Sequence, residues 1–142
     1  DGCELGYDLT DGLLARKTRW NWAFFGGASA DGPHVALNLV EGFVGAPECC
    51  VWLDGEPHMI GEGRFAFEKE RPRDPWTITS TDGAVDLTFT PAAVHEEAQD
   101  LKLVKSKFVQ PVGRFTGRLT VDGRTLRVEG IPGVVEDQDV VW

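Results

Sequence analysis

The chain has 142 residues, 42% of them hydrophobic and 26% charged, a balance that fits one folded domain and excludes a disordered chain. With 14 basic and 23 acidic side chains it carries a formal net charge of -9, which argues against nucleic acid or an anionic membrane surface as a partner. No apolar run approaches the ~20 residues of a helical membrane span, and the expected compartment is the cytoplasm.

The chain opens Asp1-Gly2-Cys3, with neither Met nor a basic-then-apolar leader, so we expect a part excised from a longer protein. Asp-Gly recurs at residues 1–2, 11–12, 31–32, 54–55, 82–83 and 122–123. This pair tolerates the positive φ of tight hairpin turns, and between strand-like runs it marks hairpins. The runs are residues 20–25, 34–40, 50–53, 57–60, 63–68, 76–80 and 85–89. Pro91 followed by residues 92–100 reads as a short helix or a loop, and residues 101–110 read as a strand with lysines at its exposed positions. The last hairpin joins residues 113–121 to 125–129.

Alternation sets the facing. Val85, Leu87 and Phe89 alternate with Asp86 and Thr88, and Leu126 and Val128 with Thr125, Arg127 and Glu129. Phe115, Leu119 and Val121 share the dry face of their strand with Gly113 and Gly117, where a sheet can bend or another backbone approach. At least eight short strands joined by regular turns predict an all-β domain over residues 1–142, an antiparallel meander closing into a lipocalin-like barrel or a strongly curled sheet.

Cys3, Cys49 and Cys50 are an odd set, and the adjacent pair bridges poorly, so reduced thiols are expected. No Cys or His spacing suits a metal, and we expect neither metal nor cofactor. His34, His58 and His95 read as rim or surface groups. Glu136, Asp137 and Asp139 read as a solvated acidic loop, and Glu41 as a solvent-facing strand end. Arg114, Arg118, Arg124 and Arg127 read as a wet hairpin face paired across strands with acids.

The candidate ligand-binding residues are Trp20, Trp22, Phe24, Asn38 and Trp52. Trp20, Trp22 and Phe24 share one face of a strand, with Asn21, Ala23 and Phe25 on the other. Rings on both faces mean burial on both, or a face that lines a cavity. Asn38 is an amide in an apolar strand. It either bonds to neighbouring backbone or to Asn21, or it orients a ligand near the interior of the barrel.

Four motifs occur in order: Arg19-Trp20-Asn21-Trp22, Leu37-Asn38-Leu39-Val40-Glu41-Gly42, Val85-Asp86-Leu87-Thr88-Phe89-Thr90-Pro91, and Gln110 through Gly117. With them the chain resembles the C-terminal part of the bacterial domain-of-unknown-function family twenty-eight-oh-four. That family is similar to lipocalin-like proteins of the AttH type and to carotenoid hydratases such as hydroxyneurosporene synthase. The resemblance implies two barrel-like domains in tandem, with an N-terminal domain as partner, and it implies no catalytic residues here. Three functions stay open: a module binding a small apolar ligand, a hydratase or isomerase of a terpenoid-like substrate, and a structural domain packing on a missing N-terminal half. An ionisable group buried beside Trp20 or Trp22 would favour chemistry. Oligomeric state is not legible.

Overall fold

The computed structural model describes residues 5–7, 9, 11–101 and 103–142. Cys3 and the first Asp-Gly pair lie outside the described residues. Nine strands and one 3-10 turn make up the regular structure among them: β1 (Lys17–Ala28), β2 (His34–Gly42), the 3-10 turn (Ala46–Glu48), β3 (Cys50–Leu53), β4 (Glu56–Met59), β5 (Gly63–Ala66), β6 (Trp76–Ser80), β7 (Val85–Asp100), β8 (Lys105–Val121) and β9 (Arg124–Val141). The expected hairpins form. Asp54 and Gly55 have φ of 51° and 88°, and Asp122 and Gly123 have 49° and 72°. Two successive positive φ values are what a two-residue type I′ turn requires, and its twist matches that of the strands it joins. At the third hairpin the Asp82 carboxylate accepts the Ser80 hydroxyl at 2.6 Å and the Ala84 N–H at 3.1 Å on one oxygen. Its other oxygen accepts the Gly61 N–H at 2.7 Å.

The strand order is β4-β3-β2-β1-β9-β8-β7-β6-β5, and every neighbouring pair is antiparallel. Each strand therefore pairs with the next in sequence except β4 with β5, while the first strand pairs with the last. The result is a meander curled into a half-barrel, open where the β4–β5 ladder would close it. Side chains bridge this seam instead. Glu41 on β2 accepts the Phe65 N–H of β5 at 2.8 Å, and Glu62 accepts the Gly42 N–H at 3.1 Å. Arg64 lies between the two carboxylates, 3.7 Å from Glu41 and 3.4 Å from Glu62. Glu41 thus faces the seam and not open solvent, because the curl brings β5 over the end of β2. The edge strands β4 and β5 are four residues each, and Pro57 and Arg64 on them discourage pairing with another chain.

Period-two alternation builds the core. Phe25, Leu37, Leu39, Val51, Trp76, Ile78, Leu87, Phe89, Phe115, Leu119 and Val128 are buried inside the curl. Phe115 stands 4.8 Å, ring centre to centre, from both Phe25 and Phe89. Gly113 and Gly117 meet the expectation of close backbone approach: a Cβ would lie 2.2 Å from the Thr90 carbonyl oxygen at Gly113 and 2.3 Å from that of Asp86 at Gly117.

Two expected boundaries are corrected. Residues 92–100 are neither helix nor loop but the outer half of β7, laddered to β8 from Ala93↔Val112 to Asp100↔Lys105. β7 ends at Asp100 and β8 begins at Lys105, so the chain reverses inside the stretch expected as strand, and there the Leu101 N–H donates to the Val104 carbonyl at 2.9 Å. Helix-favouring Ala, Glu and Gln were overridden by a partner strand whose backbone groups satisfy theirs. The acidic stretch 136–139 is likewise not a loop. It belongs to β9, hydrogen-bonded to β1 on one side and to β8 on the other.

Candidate functional site

The ladders decide which side chains meet. Phe24 faces Asn38 and Trp22 faces Val40 across β1–β2, and Ala36 faces Trp52 across β2–β3. On the other side of β1, Trp22 faces Glu136 and Phe24 faces Val134, and β8 adds Val112 opposite Val134. These residues share the face of the sheet opposite Ala23, Phe25, Leu37 and Leu39. A cleft of about 920 Å³ lies on that face, within the range of small-molecule sites. Trp20, Trp22, Phe24, Asn38 and Trp52 all line it, together with Phe43, Glu48, Gln110, Glu136 and Trp142. Gly6, Tyr7 and Leu14 of the N-terminal segment form part of the rim, and Gly6 packs so close to Phe24 that a Cβ there would lie 2.5 Å from the ring. The cleft is therefore not the interior of the curl, where the five residues were expected. The interior is filled by the alternate side chains of the same strands, and on the cleft side Trp20, Trp22 and Phe43 pack against that core, to which the cleft-lining Val40 belongs.

The rings are ordered. Trp22 and Phe24 stack at 5.8 Å with planes 12° apart, and Trp20 tilts against Phe43 at 5.4 Å. The indole N–H groups of Trp20, Trp22 and Trp142 each have a partner. Trp22 Nε1 donates to Asn38 Oδ1 at 2.7 Å, and Asn38 Nδ2 donates to the Glu48 carbonyl at 2.6 Å. Of the two settings open for Asn38, backbone bonding is present and a bond to Asn21 is not. Asn21 instead donates to the Glu136 carbonyl at 3.2 Å and to Asp137 at 3.1 Å. Trp20 Nε1 donates to Glu136 Oε2 at 3.3 Å, and Gln110 Nε2 to Glu136 Oε1 at 2.7 Å. Trp142 Nε1 donates to the Thr18 hydroxyl at 3.1 Å.

Such a constellation of ordered rings does not name a chemistry, but the chain as a whole has a family. The family model described as Domain of unknown function (DUF2804) matches residues 5–142. The chain belongs to this family. Neither a curated protein nor a solved structure matches it.

Glu136, expected in a solvated acidic loop with Asp137 and Asp139, lies on β9 and lines the cleft, as do Phe43, Glu48, Gln110 and Trp142, which are outside the expected set. The other acids of the group turn away from the cleft. Asp137 is held by Lys69 at 2.9 Å, and Asp139 by Arg19. The remaining candidates in this DUF2804 domain lie elsewhere. His34 and His95 are exposed, and His58 stands 3.2 Å from Asp122. Arg118 meets Asp86 at 2.6 Å, and Arg127 meets Asp31 at 3.2 Å and Glu129 at 2.7 Å, while Arg114 donates to the Gly130 carbonyl at 2.6 Å. Cys49 and Cys50 are both free and buried, and burial pushes both thiols above their ordinary range. Among the described residues no group of three or more His, Cys, Asp or Glu side chains is placed to hold a metal ion, and no helix is long and apolar enough to cross a membrane.

Proposed function

We propose that this domain binds a small, mostly apolar molecule in the cleft walled by Trp20, Trp22, Phe24 and Trp52. One observation carries the reading: an aromatic-lined space of about 920 Å³ lies beside the core, on the sheet face opposite Phe25 and Leu39, with two polar side chains, Asn38 and Glu136, on its wall. Pockets for small molecules combine such a wall with a few placed polar groups that fix orientation. The sequence resemblance to lipocalin-like proteins supports the same reading, as does the half-barrel form. In a longer protein the neighbouring N-terminal domain would share the rim, which the segment bearing Gly6 and Tyr7 already reaches.

Fluorescence titration with a linear polyene tests this. Tryptophan emission should be quenched saturably, and Trp22→Ala should weaken the effect. Unquenched emission, with Trp22→Ala costing roughly the 3–5 kcal/mol of a core truncation, would return the rings to plain packing.

A second reading, a hydratase or isomerase of a terpenoid-like substrate, rests on Glu136 beside Trp20, an ionisable side chain where a general acid would stand. Incubating the polyene with the domain and looking for a product heavier by one water, or for an isomer, separates catalysis from binding. Glu136→Gln should abolish turnover if this reading holds.

A further inference from the structure

The charge of the cleft narrows its ligand. Glu48 and Glu136 line it, and among the described lining residues there is no Lys, Arg or His. Glu136 is half-buried, and among the described residues it forms no ion pair. Its two oxygens each accept one bond from a neutral donor, Trp20 Nε1 and Gln110 Nε2. A carboxylate oxygen has more than one lone pair, so each keeps capacity for a further donor. The two neutral donors orient the group without cancelling its charge. A carboxylate set among aromatic rings with no cation of its own offers an incoming cation a charge-assisted hydrogen bond. Around it stand Trp20, Trp22 and Phe43, whose π faces attract cations.

We infer that the cleft recognises an amphipathic organic cation, an alkylammonium whose head donates to Glu136 among these rings and whose chain lies along Phe24, Val112 and Val134. This rests on the cleft being a ligand site, as proposed above, and adds the charge of the ligand. The same reasoning disfavours fatty acids, whose carboxylate would meet Glu136 with no base among the described lining residues.

Three probes of one chain length make the test: octylammonium, 1-octanol and octanoate, each titrated by calorimetry and by tryptophan emission into the full chain. Octylammonium should bind about tenfold or more tighter than 1-octanol, a factor that one ammonium over aromatic rings beside a carboxylate readily supplies, and octanoate most weakly. Glu136→Gln, which keeps an acceptor oxygen for Trp20, should bring octylammonium down to about the affinity of 1-octanol for the same variant. Glu96→Gln, the same charge change on the exposed outer half of β7, should leave all three affinities as they are. Equal binding of the three probes, a preference for octanoate, or a cation preference that survives Glu136→Gln or falls equally with Glu96→Gln would overturn the inference and leave the cleft as an apolar site. No binding of any probe would overturn both.

Discussion

Asn38 shows how much one side chain carries. It links an indole on β1 to the carbonyl of Glu48 in the 3-10 turn, and so fixes both the Trp22 ring and the chain entering β3. Asn38→Ala leaves a half-buried N–H and a carbonyl without partners, and should cost about 1–3 kcal/mol in urea unfolding. A loss no larger than that of an exposed substitution would mean that both groups find other partners. Cys49 makes a different prediction. Burial raises its thiol above the ordinary 9.0, so the unfolded chain loses this proton first as pH rises. Its contribution to stability is complete below pH 9.0 and is lost as pH climbs through the higher folded value. Stability should therefore fall on the alkaline side, and less steeply in Cys49→Ala. Iodoacetamide should label both thiols far more slowly in the native chain than in urea.

At the level of elements, the turn at Asp82 is an electrostatic clamp. Burial acts to raise the carboxyl, but the Ser80 hydroxyl and the Ala84 and Gly61 N–H groups outweigh it and hold it below its ordinary 3.8. A depressed group stabilises the fold above its unfolded value, so this contribution is intact at neutral pH and is lost as pH falls below 3.8 toward the folded value. Asp82→Asn should flatten the acid limb of a stability–pH curve; an unchanged limb would show that the clamp is neutral. At the β7–β8 ladder, Gly117 has φ 142° and a Cβ there would lie 2.3 Å from the Asp86 carbonyl oxygen, so Gly117→Ala should cost about 1–3 kcal/mol or more by thermal unfolding. The outer half of β7 is held on one side by β8 and is exposed on both faces. Its amides should exchange hydrogen well before those of residues 85–89, which lie between β6 and β8.

The whole molecule is organised by one long-range event. β1 pairs with β9 across most of the chain, from Lys17↔Val141 to Phe25↔Gly133, and this ladder joins the β1–β4 meander to the β5–β9 meander. Loop closure over such separations precedes the contacts that reward it, so folding is slow for topologies of this kind. Stopped-flow refolding should show its main phase in milliseconds to seconds, and Trp20 and Trp22 should reach native fluorescence only in that phase. A microsecond main phase would mean that local hairpins, not the β1–β9 ladder, limit the rate.

The local features of this protein were readable from its residues because their causes are local. Asp54-Gly55 and Asp122-Gly123 specify their own turns through backbone preference, and the alternation around Leu87, Phe115 and Val128 specifies a buried face without reference to any partner. The rings of Trp20, Trp22 and Phe24 were likewise assigned to one face from spacing alone. Which face becomes core and which a cleft depended on the curl, since β5 covers one side of β1 and β2 and leaves the other open. The helix-like composition of residues 92–100 and the charge of residues 136–139 misled for the same reason. Both stretches draw their conformation from β8 and β1, strands distant in sequence, and the position of Glu136 between Trp20 and Gln110 follows from a register that only the folded sheet sets.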